Sequence, residues 1–296
     1  MSPQISEAAV YAGTYQLGSR CVNRLGYGAM QLRRCSGDPA TAVGLLERAI
    51  DLGVNHIDTA EFYGNGFVNE ALRRVLRNRE GIVIASKVGG DPNPNGPIPI
   101  KPAQRPEQLR ASVEDNLRSL GLDQISVVSL RRLDVGPGLS PEGDQNVDLD
   151  DQLAVMIAMR DEGKIGAVGL SAVDMTTLKR ALPAGIACVQ NAYSLVSRQF
   201  ENMLRLCCIH QIAWVPFFPL GGAFPKWPKV ADQPKVIEIA ERMKITPSQL
   251  GLAWLLAHAP NHLALLTAVI WKKIWLWRRS GSTKILSQTS TPSLSR

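Results

Sequence analysis

Strand and helix signals alternate along this 296-residue chain with no stretch that reads as an interdomain linker. Short apolar runs near residues 24–28, 54–58, 82–86, 125–130, 166–170, 186–189, 212–217 and 263–269 are separated by amphipathic helical stretches. A strand always followed by a helix returns to the same sheet by a crossover, which imposes a parallel sheet. Eight such units can close on themselves. The expectation is an α/β chain folded as a (β/α)8 TIM barrel, a fold that reaches this length as one domain. Boundary residues support the division. Pro106 opens a helical stretch that Leu120 and Gly121 close, and Gly53 stops the helix over 39–52. Ahead of the first unit, residues 15–17 and 20–22 flank the turn pair Gly18-Ser19, which predicts a short N-terminal β-hairpin. The expected organisation is an N-terminal extension over 1–14, a barrel over 15–266 and an atypical tail over 267–296. Residues 89–102, rich in Pro and Gly, read as a loop on the substrate side.

Charge excludes some functions once it is located. The net charge is +7, but Lys272, Lys273, Arg278, Arg279, Lys284 and Arg296 in the tail, where there is no acid, account for six of these charges. The body is nearly neutral, which gives no case for nucleic-acid binding. Five cysteines, an odd number without metal-ligand spacing, predict reduced thiols and a cytoplasmic protein with no metal site. Cys207 and Cys208 lie among leucines and are expected to be buried. The start of the chain carries no secretory pattern. The longest largely apolar run, Leu263 to Trp271, is nine residues, less than half a membrane span.

The chemistry is concentrated in Gly53-Val54-Asn55-His56-Ile57-Asp58-Thr59-Ala60-Glu61-Phe62-Tyr63-Gly64 and in the next strand, which ends on Lys87. An acid, a phenol and an amine then stand at the C-terminal ends of consecutive strands, where barrels of this kind keep their active sites. A tyrosine is a poor acid at neutral pH, because its unperturbed pKa is about 10. An adjacent ammonium favours the phenolate, and an aspartate can hold that ammonium charged and oriented. The alternative is that Tyr63 packs a loop while Asp58 and Lys87 form an ordinary ion pair.

These motifs are similar to those of the aldo-keto reductase family. The resemblance implies Tyr63 as proton donor, Lys87 as its tuner, Asp58 as the orienting partner, NADP(H) as cofactor and a small aldehyde or ketone as substrate. The family's histidine at the end of the fourth strand is replaced by Arg131, within Ser129-Leu130-Arg131-Arg132. Arginine stays charged at all usable pH and cannot shuttle a proton, but it can grip a carbonyl oxygen or a substrate anion. Gly169-Leu170-Ser171-Ala172 and Val189-Gln190-Asn191 resemble the nicotinamide motifs, which implies Ser171 and Gln190 as holders of the amide. Phe217-Phe218-Pro219-Leu220-Gly221-Gly222 resembles the segment after the seventh strand. It implies Phe217 stacked on the nicotinamide, with Phe218, Leu220 and Gly221 in a backbone cradle for pyrophosphate. Within the family, Val22 to Leu32 and Val215 to Gly222 are similar to bacterial NADPH-dependent pyridoxal reductases, which implies pyridoxal as substrate. A second reading is a cofactor-sensing or scaffold protein on the same barrel, catalytically impaired by its altered terminus.

The resemblance stops near Leu265. In place of a phosphate loop and an acidic helix, the chain continues Ile270-Trp271-Lys272-Lys273-Ile274-Trp275-Leu276-Trp277-Arg278-Arg279. Read from the third base of each codon, Trp271 and Lys272 force Glu. The following triplets allow only Lys or Glu, then Asn or Asp, then Leu or Met. A family-like His-Leu-Glu-Glu-Asn-Leu terminus fits that frame, so the tail reads as the product of a frameshift. A membrane-surface helix is the competing reading. With the family's phosphate-binding residues replaced, the expectation is weak NADPH binding.

Overall fold

A computed structural model of the chain describes residues 9–96, 98–136, 139–222 and 227–267. The basic, Trp-rich tail lies outside the described residues, and so does the frameshift reading. The hairpin pairs β1 (Thr14–Leu17) with β2 (Arg20–Asn23) in antiparallel register. Eight parallel strands follow: β3 (Leu25–Gly28), β4 (His56–Asp58), β5 (Val83–Val88), β8 (Val127–Arg131), β9 (Val168–Ser171), β10 (Cys188–Gln190), β11 (Ala213–Trp214) and β12 (Ala264–Leu266). The loop after β5 contributes β6 (Gly90–Pro92) and β7 (Ile100–Pro102). Spatial order follows chain order from β3 to β11, and β12 lies on the far side of β3. Closure comes from the chain entering β12. The Trp214 N–H donates to Asn261 O at 2.8 Å and the Leu263 N–H donates to Trp214 O at 2.8 Å. This is the (β/α)8 barrel expected from the alternation.

The helices α1 (Pro39–Asp51), α2 (Phe67–Leu76), α3 (Pro106–Leu120), α4 (Leu149–Asp161), α5 (Met175–Ala181), α6 (Glu201–Ile209), α7 (Pro234–Arg242) and α8 (Pro247–His258) surround the strands. Their starts are locally encoded. Asp174 accepts from the Thr177 N–H at 2.7 Å, and Thr246 and Gln249 form a reciprocal capping box at α8.

Period-2 alternation sorts each strand into an inner and an outer set. On β5, Ile84 and Val88 join the large core beneath the helices, while Val83 and Ala85 belong to a second cluster inside the barrel. That inner cluster also holds Val127, Cys188, Ala213, Val215 and Leu263, and Leu17 and Val22 of the hairpin pack into it. The hairpin therefore floors the barrel. The inner rung above this apolar layer is polar, and it is where Lys87, Arg131, Ser171 and Gln190 stand.

Two elements differ from expectation. The Pro-rich stretch 89–102 carries the β6–β7 hairpin, whose prolines sit at strand ends of a two-stranded sheet where a missing N–H costs no ladder bond. The seventh barrel strand is two residues long, because Pro216 offers no N–H to continue the ladder. Past it, the chain re-engages when the Phe217 N–H donates to Asn191 O at 3.2 Å. Cys207 is buried as expected, but Cys208 is only half-buried. None of the described helices is long and apolar enough to cross a membrane.

Two buried histidines make the barrel acid-sensitive. Burial lowers the pKa of both His56 and His262 from 6.5 to about 4. Neither ring nitrogen of His56 has a partner among the described residues, and His262 Nδ1 lies 2.6 Å from Leu255 O. The unfolded chain takes up these protons first, so their contribution is complete above pH 6.5 and is lost as pH falls through about 4. At about 1.4 kcal/mol per pKa unit, each is worth up to about 3 kcal/mol. We predict that His56→Leu flattens the fall in urea-unfolding free energy between pH 7 and pH 4.5. An unchanged pH slope would show that His56 does not carry this term.

Candidate active site

The site is built from the C-terminal ends of β4, β5, β8, β9 and β10. Asp58 closes β4 and Lys87 sits one residue from the end of β5, and the register that pairs Asp58 with Ala85 points both side chains inward. Lys87 Nζ donates to Asp58 Oδ1 at 2.5 Å and to the Thr59 carbonyl at 3.0 Å. Both side chains are almost fully buried, at 5% and 7% exposure. Burial pulls the Lys87 pKa down, but Asp58 and Tyr63 outweigh it and leave the ammonium above the ordinary lysine value. Tyr63 lies in the loop between β4 and α2, half-buried, with Lys87 Nζ 5.1 Å from its ring centroid. Phe62 meets the same ring edge-on at 5.1 Å between centroids.

Gln190 enters this group from across the barrel. Its Nε2 donates to Asp58 Oδ2 at 2.7 Å, so the second carboxylate oxygen is also held. The side-chain oxygen Oε1 is left as the atom that can receive an amide N–H. Ser171, at the end of β9, presents a buried hydroxyl with no partner among the described residues. Asn191 braces that end. Its Oδ1 accepts from the Val173 N–H at 3.1 Å and its Nδ2 donates to the Val173 carbonyl at 2.7 Å. Ala172, between them, adopts φ +53°, a conformation ordinarily left to Gly, Asn or Asp.

Arg131 ends β8 beside these groups. Its Nε is buried without a partner, and no carboxylate pairs with it among the described residues. Burial lowers its pKa, with Tyr63 opposing the shift, yet a guanidinium remains charged. Its backbone is fixed by Gln104, whose Nε2 donates to the Arg131 carbonyl at 2.8 Å and to Gly89 O at 2.5 Å. Gly89 has φ +95°, and a Cβ there would stand 2.4 Å from Arg131 O, so only glycine permits the approach. The Gln104, Asn191 and Gln190 contacts were not singled out from sequence. The motif around Gln190 and Asn191 marks their position but not their protein partners, and Gln104 lies in no such motif.

The segment after β11 departs from a simple backbone cradle. The Gly221 N–H donates to Phe218 O at 2.8 Å and the Gly222 N–H to Pro228 O at 3.2 Å, so these two donors are spent within the protein. Phe217 and Phe218 meet edge-on at 5.1 Å, and Phe218 holds φ +57°. Leu220 reaches toward Gly251 of α8.

The sequence model of the aldo/keto reductase family matches residues 24–274. The chain belongs to the aldo/keto reductase family. It is 38% identical over 262 residues to the pyridoxine 4-dehydrogenase of Escherichia coli (strain K12), covering 86% of this chain and 87% of that protein. It is 33% identical over 280 residues to an uncharacterized oxidoreductase of Schizosaccharomyces pombe, covering 90% and 84%. An aldo-keto reductase from Klebsiella pneumoniae, solved in complex with NADPH, shares the fold with a TM-score of 0.72 at 24% identity, covering 93% of each chain.

The buried ion pair can be tested as a structural element. Lys87→Met leaves the Asp58 carboxylate buried without its cation, and we predict a loss of about 3–5 kcal/mol in unfolding free energy. Asp58→Asn combined with Lys87→Met removes both charges and should recover most of that loss. A double variant as unstable as Lys87→Met alone would place the cost elsewhere.

Proposed function

We propose that this protein is an NADP-dependent oxidoreductase that reduces an aldehyde or ketone to an alcohol, with pyridoxal as the leading substrate. The observation that carries the reading is the Tyr63 phenol beside a buried Lys87 ammonium that Asp58 clamps at the mouth of the barrel. The relative named pyridoxine 4-dehydrogenase, at 38% identity, supports the substrate class.

A nicotinamide supplies the hydride when it is bound. The residues present fit such a group. Ser171 Oγ is an orphaned buried hydroxyl, Gln190 offers Oε1, and Phe217 presents a partly exposed ring from the loop after β11. Phe218, Leu220 and Gly221 would border the phosphates, though Gly221 contributes through its lack of a side chain, its N–H being committed elsewhere.

The chain's own part is the proton. Tyr63 donates its hydroxyl proton to the carbonyl oxygen as negative charge develops there. The Lys87 ammonium stabilises the phenolate left behind, in a site dry enough for the charge to act strongly. Asp58 keeps Lys87 protonated and directed, and Gln190 keeps Asp58 from rotating away. Arg131 adds a second positive charge and an unused donor that suits an anionic oxygen on the substrate, such as a ring phenolate.

Two variants test the assignment. Tyr63→Phe should lower turnover roughly 10²–10⁴-fold, the usual worth of general-acid help, with NADPH binding nearly unchanged. Rates close to the parent's would sink the proton-donor role. Arg131→His should weaken a substrate bearing an anionic oxygen by ~1.5–3 kcal/mol in kcat/KM and affect neutral aldehydes less. Equal losses for both classes would mean that Arg131 serves the barrel rather than the substrate.

A further inference from the structure

Behind Tyr63, on the outer side of the sheet, lies a polar network that neither the ion pair nor cofactor binding explains. Asn69, on α2, is fully buried. Its Oδ1 accepts from the Thr59 hydroxyl at 2.7 Å, and its Nδ2 lies 2.7 Å from Glu61 Oε2, 3.0 Å from Ser119 Oγ and 3.1 Å from Asn116 Oδ1. Ser119 in turn donates to Glu61 Oε2 at 2.6 Å, and Ser86 of β5 donates to Asn116 Oδ1 at 2.5 Å. Thr59, Ser86 and Asn116 are fully buried as well.

The placement of these bonds along the chain is informative. Thr59 follows Asp58, and its carbonyl accepts from Lys87 Nζ. Glu61 lies two residues before Tyr63, and its carbonyl accepts from the Gly66 N–H at 2.8 Å, closing the loop onto the start of α2. Ser86 immediately precedes Lys87. One amide on a helix thus ties the lysine's backbone acceptor to the segment that carries the phenol. The loop needs such a tie, because Gly64, Asn65 and Gly66 run consecutively at φ +66°, +54° and +83°. A Cβ on Gly66 would stand 2.8 Å from Glu61 Oε1, so the loop is closed tightly over the carboxylate.

Glu61 is partly buried, and its pKa is raised by that burial against the Ser119 and Asn69 hydrogen bonds. Its free side faces a cleft of about 500 Å³ lined by Glu70 and Arg73 of α2 and by Asp115 and Arg118 of α3. Those charges stand on the helices outside the barrel. Helix packing alone would be served by apolar side chains here, without the cost of burying two asparagines and a carboxylate.

We propose that Asn69, acting through Glu61 and Ser119, is a positioning residue that sets where the Tyr63 hydroxyl stands relative to the Lys87 ammonium. The inference rests on the reading of Tyr63 as proton donor. A small displacement of the phenol from the carbonyl oxygen is enough to slow a transfer that depends on a near-attack geometry.

The test uses the full chain with NADPH and an aldehyde, with rates normalised to folded protein. Asn69→Leu, close to isosteric, should lower kcat roughly 10–100-fold, as a misplacement of about 1 Å does. NADPH affinity should hold, and the pH profile of kcat should move, because the phenol and the ammonium separate. Glu61→Ala should act in the same direction. Glu61→Gln should restore turnover, since its amide oxygen can take the place of Oε2 and accept from Asn69 and Ser119. A less stable Asn69→Leu with parental kcat and pH profile would overturn the proposal and reduce the network to helix packing. If Asn69→Leu does not fold, equal turnover by Glu61→Ala and Glu61→Gln would overturn it instead. Tyr63→Phe, measured alongside, separates the two levels. A fully active Tyr63→Phe overturns the proton-donor reading and this inference with it, whereas an inactive Tyr63→Phe beside a parental Asn69→Leu overturns this inference alone.

Discussion

A lysine ammonium sealed inside a barrel has to be matched by a carboxylate, and most of the active end follows from how that match is made. Desolvating Lys87 and Asp58 costs more than their attraction returns unless every remaining lone pair and proton finds a partner. Asp58 Oδ1 takes Lys87, Oδ2 takes Gln190, and a second lysine proton goes to Thr59 O. These bonds draw on β4, β5 and β10. Slipping any of these strands by one residue would turn its polar side chain out into the apolar layer under the helices. The pair therefore fixes strand register as well as charge, and the hydrophobic pattern and the polar rung demand the same register.

The division of labour along the barrel axis has the same origin. The lower inner layer is built from Val83, Ala85, Val127, Cys188, Ala213 and Leu263, and Leu17 and Val22 plug it from the hairpin. It contributes burial and no chemistry. Further up the strands, the inward positions become Asp58, Lys87, Arg131, Ser171 and Gln190. The apolar floor keeps water from reaching the ion pair from below, and the Asp58 carboxylate keeps the desolvated ammonium charged. His56 is the exception to the layering, a buried imidazole without a hydrogen-bond partner among the described residues, on a strand whose next inward residue is Asp58.

The sequence made local relations legible and left long-range ones hidden. Asp58 and Tyr63 are close in the chain, and Lys87 ends the next strand, so their convergence followed from counting strands. The alternation likewise revealed eight units. The bond from Gln190 to Asp58 spans 132 residues and depends on closure, which no motif encodes. Gln190 had been expected only as an amide holder, yet half of its side chain is committed to the carboxylate. The β6–β7 hairpin was hidden because proline content argues for a loop, whereas a two-stranded ribbon with free outer edges tolerates proline. Likewise the run from Phe217 to Gly222 looked like a set of free N–H groups, but the turn it folds into consumes those of Gly221 and Gly222.

Arg131 shows how one replacement alters a site whose other parts are kept. A histidine at that position can donate, accept or exchange a proton near neutral pH. An arginine offers only donors and a permanent charge, and in this chain it meets no carboxylate among the described residues. Among the described residues, the inward positions at this end of the strands hold two cations, Lys87 and Arg131, and one anion, Asp58. On the proposed reading, a positive, poorly solvated mouth would favour a substrate that brings an anionic oxygen with it. A neutral aldehyde would gain from that charge only in the transition state, where negative charge develops on its oxygen, and not in binding. If Tyr63 carries the proton as proposed, the arginine would shift the site's discrimination from the reacting carbonyl toward what the substrate carries beside it.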